Sequence, residues 1–198
     1  MVFKSLRIIS TALVLLFASS AASRAQDEAR YKELPNFHQV NSTLYRGGQP
    51  RAGGFERLAG LGIKTVLNLR DDDEREQVEE KEVRAAGLRY FNIPLDGMGR
   101  PSDEKVERAL AIINAPENQP VFVHCKRGSD RTGTVIAVYR IAHDGWTSEQ
   151  AKAEAKRYGM GFWEVGMKDY IRDYYERRTA GKAKVSRWSV EQRRLVVV

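Results

Sequence analysis

The stretch that decides the fold is PVFVHCKRGSDRTGTVIAVY, residues 120–139. Its start, from Val121 to His124, is rich in β-branched and aromatic residues, which predicts a buried strand. A loop from Cys125 to Asp130 follows, and the apolar residues after Thr132 predict a buried helix. In α/β proteins ligands bind beyond the carboxyl ends of the strands, so this loop is the candidate functional site.

Further strands and helices alternate on both sides of this stretch. Short β-rich runs predict strands at 43–46, 64–69 and 89–93, and helical patterns are found at 55–61, 71–86, 101–114, 148–158 and 165–178. We expect Ser102 and Ser148 to be N-caps, Gly87 to end a helix, and the acidic run 71–74 to be a solvated helix start. The alternation predicts an α/β fold with a mostly parallel central sheet of about four to five strands flanked by helices.

Length and composition limit the class of protein. The chain has 198 residues, of which 42% are hydrophobic, and this suits one domain with a sizeable core. Its single cysteine excludes an intramolecular disulfide framework, an all-cysteine zinc site and an iron–sulfur cluster. Because His38, His124 and His143 lack the spacing of metal ligands, we expect no metal and no cofactor.

The first 25 residues have the pattern of a secretory signal peptide. Lys4 and Arg7 precede an apolar run at 8–18, and the small residues Ser23 and Ala25 suit a cleavage site. The run is shorter than the roughly 20 residues that span a bilayer, although an uncleaved anchor is the alternative. We predict cleavage after Ala25 and export to the periplasm or the exterior. Loss of three basic residues with this segment lowers the net charge from +7 to +4.

The loop after the predicted strand at 121–124 combines a thiol, main-chain amides and an arginine. Successive amides in a tight loop before a helix form a concave anion site, and the helix dipole strengthens it. The same field favours the thiolate of Cys125. Arg131 can donate two parallel hydrogen bonds to phosphoryl oxygens, Gly128 permits close backbone approach, and Thr132 can hydrogen-bond the sulfur. The loop therefore predicts attack of a thiolate on a bound phosphate ester.

The motif HCxxGxxRTG, residues 124–133, resembles the signature loop of the cysteine-dependent protein tyrosine and dual-specificity phosphatases. The segments LYRGGQP, residues 44–50, and VLNLR, residues 66–70, resemble elements of the small bacterial, plant and fungal dual-specificity-like members. The resemblance covers about residues 34–175 and implies a protein tyrosine phosphatase-like fold. It implies that Cys125 is the nucleophile that forms a phosphocysteine, Arg131 the phosphate clamp and His124 a residue that orients the loop. The implied substrate-binding residues are Lys126, Arg127, Gly128, Ser129, Asp130 and Arg131, with Thr132 in support.

The resemblance also implies a general acid that protonates the leaving group and then activates water. The family keeps an aspartate on a mobile loop about 30 residues before the cysteine. Asp96 lies 29 positions before Cys125, follows a predicted strand and precedes two glycines that can act as hinges. Asp103 is the alternative, but after Ser102 it suits a carboxylate in the first turn of a helix. A phosphatase without a dedicated acid is the remaining alternative.

The sequence leaves two substrate classes open. The first is phosphorylated proteins, with phosphotyrosine as the main target and phosphoserine or phosphothreonine as further ones. The second is inositol phosphates or inositol phospholipids. Lys126 and Arg127 raise the positive potential for a polyphosphorylated headgroup, whereas Asp130 opposes it or positions Lys126 or water. The alternative is that Lys126 and Asp130 only shape the loop. A non-catalytic phosphate-binding module is a second alternative. A thiol redox or sulfur-transfer protein is a third, but the chain lacks a resolving cysteine.

The C-terminal segment is strongly basic. From Arg177 onwards it holds seven Lys or Arg against one Glu, and we expect a frayed, solvated tail. A weak contact with anionic membranes through this tail is the alternative, and no motif indicates a nucleic-acid partner. The aromatic residues Trp163, Tyr170, Tyr174 and Tyr175 are expected to pack in the core and at its edge. The predicted organisation is a signal peptide at 1–25, a phosphatase-like domain at 26–178 and a basic tail at 179–198.

Overall fold

The computed structural model describes residues 31–71 and 74–195, so the predicted signal peptide lies outside the described residues. The strands are β1 His38–Asn41, β2 Leu44–Gly47, β3 Thr65–Asn68, β4 Arg89–Asn92 and β5 Val121–His124. The α-helices are α1 Gly54–Gly60, α2 Glu74–Ala85, α3 Asp103–Asn114, α4 Asp130–Tyr139, α5 Ser148–Arg157 and α6 Val165–Leu195. A short 3-10 turn, Pro116–Asn118, precedes β5, and a π-helical turn, Arg140–Asp144, follows α4.

The five strands form one sheet in the order β1-β2-β5-β3-β4. Only β1 runs antiparallel to its neighbour, β2, while β2, β5, β3 and β4 pair in parallel. The predicted α/β fold with a mostly parallel sheet is therefore confirmed. Because β5 is the central strand, the residue that follows it, Cys125, lies at the middle of the edge where the parallel strands end.

Helices cover both faces of the sheet. The larger apolar cluster packs α3, α4, α5 and α6 against one face, and it includes Leu67, Val123 and Ile136. The smaller cluster packs α1 and α2 against the other face and includes Leu58 and Phe122. Burial on both faces explains why every residue of β3 and β5 is buried, as is usual for parallel strands.

Several element boundaries differ from the sequence-based expectation. Strand β1 was not predicted, and α4 begins at Asp130, two residues before the expected start. Thr147, not Ser148, caps α5: its hydroxyl accepts from the Gln150 amide at 3.3 Å, and the Gln150 side chain accepts from the Thr147 amide at 2.9 Å. The expected cap at Ser102 is confirmed, since its hydroxyl accepts from the amide of Lys105 at 3.3 Å.

The last helix is longer than expected. The prediction that it ends near Arg178 was wrong, because α6 continues to Leu195 through much of the segment expected to be a frayed tail. No proline interrupts α6, and Arg178 Nη2 donates to the carbonyl of Ala142 at 2.8 Å. In the part of the chain that the structure describes, no helix combines the length and the apolar character needed to cross a lipid bilayer.

Candidate active site

The catalytic candidates meet where β5 passes into α4. Cys125 directly follows β5 and is 3% exposed, and Arg131 lies in the first turn of α4 and is 9% exposed. Between them, Gly128, Ser129 and Asp130 are buried, whereas Lys126 and Arg127 are exposed. The local sequence forms this turn because an apolar strand ends at the thiol and Gly128 adopts the left-handed backbone conformation, with φ of +72°.

Three consecutive carbonyl groups of the loop are held by the segment that contains β1 and β2. The Gln49 amide donates to Lys126 O at 3.2 Å, the Asn36 side chain to Arg127 O at 3.1 Å, and Arg46 Nη2 to Gly128 O at 2.7 Å. In a planar trans peptide the next amide N–H points away from the carbonyl. The amides of residues 127, 128 and 129 therefore point away from the groups that hold the carbonyls, an arrangement that suits an anion on that side.

Glycines allow the loop to lie directly on the end of β2. A Cβ atom at Gly128 would lie 2.4 Å from the carbonyl carbon of Gly47, and one at Gly48 would lie 3.2 Å from the carbonyl carbon of Arg127. Both distances are too short for an ordinary van der Waals contact. Gly48 of the LYRGGQP segment and Gly128 of the loop thus have a specific role in this fold: without side chains, they allow the two backbones to approach each other.

Arg46 is a buried cation beneath the loop. The side chain is 1% exposed, and its guanidinium carbon lies 4.3 Å from the centre of the Tyr158 ring. Burial lowers the pKa of Arg46 to about 10, so the group still carries its charge at neutral pH. The sequence pattern does not indicate that Asn36 and Arg46 hold the loop, although Arg46 belongs to the family-like segment LYRGGQP.

His124 is fixed by a buried carboxylate. Its Nε2 atom lies 2.8 Å from Glu79 Oε1 on α2, and both side chains are almost fully buried. Gln49 Nε2 donates to Glu79 Oε2 at 2.5 Å, and Arg70 Nη1 donates to Gln49 Oε1 at 2.6 Å. Burial alone would raise the pKa of Glu79, but His124, Gln49 and Arg70 hold it below its usual value. The charged form of Glu79 therefore holds the imidazole next to Cys125 in one orientation.

Arg131 contacts the ends of two neighbouring strands. Its Nη1 atom lies 3.3 Å from the carbonyl of Leu95, in the loop after β4, and 3.5 Å from Asp71 Oδ2, in the loop after β3. Asp71 is not helical, so the expectation that it starts this helix was wrong, and the structure describes α2 from Glu74. Asp71 is exposed, as expected, but it also pairs with the predicted phosphate clamp.

The two candidate acids have different surroundings. Asp96 is exposed and directly follows Leu95, whose carbonyl contacts Arg131. Asp103 lies in the first turn of α3, where it accepts a hydrogen bond from Arg177 Nη2 at 2.8 Å. Of the two, only Asp96 adjoins a residue that contacts the clamp, whereas Asp103 links α3 to α6.

Asp130 orients Arg127 and joins the loop to the segment before α6. Its Oδ2 atom accepts from Arg127 Nη2 at 2.5 Å, and its Oδ1 atom accepts from the amide of Gly161 at 2.9 Å. Within the described residues, the buried hydroxyl of Thr132 has no hydrogen-bond partner, and it remains available to a neighbouring acceptor. No group of three or more His, Cys, Asp or Glu side chains in residues 31–71 and 74–195 is arranged to hold a metal ion.

A parallel α/β sheet whose central strand leads a cysteine into a C-x5-R loop defines the class of cysteine-dependent phosphatases. The family model described as "DSP-PTPase phosphatase fused to NAD+ Kinase" matches residues 22–173, and the chain belongs to this family.

Curated relatives carry the names of two kinds of phosphatase. The chain is 34% identical to "Dual specificity protein phosphatase TpbA" of Pseudomonas aeruginosa over 146 residues, which are 73% of this chain and 64% of the relative. It is 32% identical to "Inositol diphosphatase DSP2" of Oryza sativa over 109 residues, which are 53% of each chain. The chain thus spans between half and two thirds of the length of these relatives.

Solved structures share the fold. A crystal structure of Pseudomonas aeruginosa TpbA in complex with pTyr has a TM-score of 0.62 at 29% identity, covering 73% of this chain and 89% of that one. The core catalytic domain of the Saccharomyces cerevisiae PP-IP phosphatase SIW14 has a TM-score of 0.65 at 24% identity, covering 78% of this chain and 94% of that one. At this identity the second likeness concerns the fold alone.

Proposed function

We propose that the protein hydrolyses phosphate monoesters, phosphotyrosine in proteins first, through a phosphocysteine intermediate. The observation that carries the proposal is the loop from Cys125 to Arg131, whose carbonyls are held on the side of β2. A phosphoryl group bound by the opposite amides lies between the thiol and the guanidinium of Arg131. The dual-specificity phosphatase names of relatives and the pTyr complex of TpbA support the same activity.

The proposed reaction has two steps. In the first, the Cys125 thiolate attacks phosphorus, a phosphorus–sulfur bond forms, the ester bond breaks, and the leaving oxygen takes a proton from Asp96. In the second, the Asp96 carboxylate accepts a proton from water, which attacks phosphorus and releases phosphate and the thiolate. Arg131 stabilises the charge on the equatorial oxygens in both steps, and the Thr132 hydroxyl stabilises the leaving sulfur.

A substrate panel tests the proposal. We expect the purified protein to hydrolyse a phosphotyrosyl peptide with a higher kcat/KM than inositol hexakisphosphate, and we expect vanadate to inhibit competitively, because it binds in the phosphate site. Phosphate release measured at equal enzyme concentration gives both rates. Hydrolysis of neither substrate contradicts the proposal.

A groove beside the loop favours inositol phosphates as a second candidate substrate. It has a volume of about 730 Å³, and its wall carries the cationic side chains of Arg51, Arg75, Lys126 and Arg127. Glu79 and Glu82 also line it and reduce its positive potential. Relatives named inositol diphosphatases support this alternative. A higher kcat/KM for inositol hexakisphosphate in the panel would favour it over the peptide.

Replacement of Asp96 tests the assignment of the general acid. We expect Asp96→Asn to lower kcat for the phosphotyrosyl peptide about 100-fold, since a positioned acid typically contributes 100-fold to 10,000-fold. The matched control is Asp103→Asn, which breaks the pair with Arg177 and should leave kcat unchanged. Initial rates across a pH series measure both variants. A loss confined to the Asp103 variant would assign the role to Asp103, and unchanged kcat in both would indicate that no dedicated acid acts.

We also propose that the protein is exported, on the basis of the signal peptide pattern in residues 1–25. Mass spectrometry of the protein produced in a Gram-negative host should give an N-terminus at Gln26 in the periplasmic fraction. A cytoplasmic protein that retains the first 25 residues would contradict the proposal.

A further inference from the structure

Exposed apolar side chains concentrate on one side of the candidate active site. Among the described residues, five large apolar side chains are more than half exposed. Four of them belong to the loop after β4 and to the segment before α6 together with the first residue of that helix: they are Met98 (77%), Phe162 (85%), Trp163 (53%) and Val165 (60%). We call these four residues the apolar rim. Monomeric proteins rarely expose such groups together unless they bind something.

The loop after β4 connects the rim to the phosphate clamp. Arg131 Nη1 contacts the carbonyl of Leu95 at 3.3 Å, three residues before Met98. At the other end of this loop, a Cβ atom at Gly166 would lie 2.7 Å from the carbonyl carbon of Gly99, so the two backbones touch. Met98 directly precedes Gly99, and Val165 directly precedes Gly166, so both lie beside this contact.

The segment before α6 connects the rim to the loop itself. Gly161 donates its amide to Asp130 Oδ1 at 2.9 Å, and Asp130 is the residue directly before Arg131. The Trp163 indole packs against Gly161. A Cβ atom at Gly161 would lie 2.5 Å from the indole ring, so a side chain at this position would have to displace the ring. Phe162 meets Trp163 edge to face, with ring centroids 4.9 Å apart.

Hydrogen bonds hold this segment in place although its aromatic rings are exposed. Lys168 Nζ donates to the carbonyls of Gly161 at 2.7 Å and Phe162 at 2.9 Å. The two segments therefore contact adjacent residues of α4, Arg131 and Asp130, and they contact each other where Gly99 lies against Gly166. This closed path of contacts places the apolar rim at the border of the phosphate site, and Met98 follows Asp96 by two residues.

We propose that the apolar rim binds the phosphorylated aromatic ring of a protein substrate and an apolar side chain next to it. This inference rests on the proposed function, because the ring must carry the phosphate into the loop. Aromatic side chains at an exposed rim are typical of surfaces that bind proteins. An inositol phosphate is polar on every face and gains nothing from these groups; the cationic groove lined by Lys126 and Arg127 suits it instead.

Replacement of Phe162 tests the proposal with little risk to the fold, since this ring is the most exposed of the four. We expect Phe162→Ala to raise KM for a phosphotyrosyl peptide with apolar flanking residues about tenfold, with kcat within about twofold of the original. KM for inositol hexakisphosphate and the Tm should stay unchanged. The matched control is Val78→Ala, which removes the fifth exposed apolar side chain, at the cationic groove.

The outcomes separate this inference from the function on which it rests. A protein that does not hydrolyse the peptide overturns both. A protein that hydrolyses the peptide with the same KM before and after Phe162→Ala overturns the rim alone, as does an equal rise in KM for Val78→Ala. Loss of binding to phosphatidylserine-containing vesicles in the Phe162 variant, with KM for the peptide unchanged, would instead identify the rim as a membrane contact.

Discussion

Cys125→Ser is expected to abolish hydrolysis, with kcat reduced more than about 10,000-fold and binding of phosphate esters retained. A serine hydroxyl stays protonated at neutral pH, and without a base to activate it the group is a poor nucleophile. The loop amides and Arg131 do not depend on the sulfur, so the anion site should persist. Phosphate release measures the first effect, and calorimetric titration of a phosphotyrosyl peptide measures the second.

The single cysteine provides an independent control for this variant. Because the chain has one thiol, alkylation by iodoacetate can modify only Cys125, and vanadate bound in the loop should protect it. Unchanged hydrolysis by Cys125→Ser would refute the phosphocysteine mechanism. Binding of phosphate esters by a protein that hydrolyses none of them would instead identify a non-catalytic phosphate-binding module.

Gly128→Ala is expected to lower both the stability and the activity. Its φ of +72° costs a side chain about 1–2 kcal/mol, and the new Cβ would lie 2.4 Å from the backbone of Gly47. Backbone cannot move aside as a side chain can, so overpacking adds about 1–3 kcal/mol. We expect a loss of about 2–5 kcal/mol in the free energy of unfolding and a fall of at least about 100-fold in kcat/KM. Urea denaturation and initial rates measure the two effects.

Gly62→Ala is the matched control for this prediction. Gly62 has a similar φ of +82°, but a Cβ atom there would meet nothing within 4 Å. This variant should lose about 1 kcal/mol of stability and keep its activity. If Gly128→Ala is no more harmful than Gly62→Ala, the loop does not depend on its close contact with β2.

The parts of the fold that are encoded locally were predictable from sequence. The run from Val121 to His124 has the composition of a buried strand, and the structure places a fully buried strand there. Strand β1 was missed because four residues, HQVN, carry too little pattern to distinguish them from a loop. The error at the start of α5 was avoidable, since Gln150 lies three residues after Thr147 and completes a capping box.

The groups that hold the loop were not predictable, because they come from distant parts of the chain. Asn36 lies 91 positions from Arg127, and Arg46 lies 82 positions from Gly128. Glu79, on α2, meets His124 across 45 positions. Local pattern indicates that a buried polar residue needs a partner, but only the packing of α2 and β2 against β5 shows which partner it has.

The three carbonyls held by Gln49, Asn36 and Arg46 give the loop its binding geometry in advance. If the loop were flexible without substrate, each binding event would have to order it, and the lost conformational entropy would weaken binding. Here folding of the sheet already aligns the amide dipoles, so in the proposed reaction the charge that develops on the phosphoryl oxygens would need no reorientation of the protein around it. We therefore expect the stability of this sheet edge and the rate of the proposed reaction to depend on the same three hydrogen bonds.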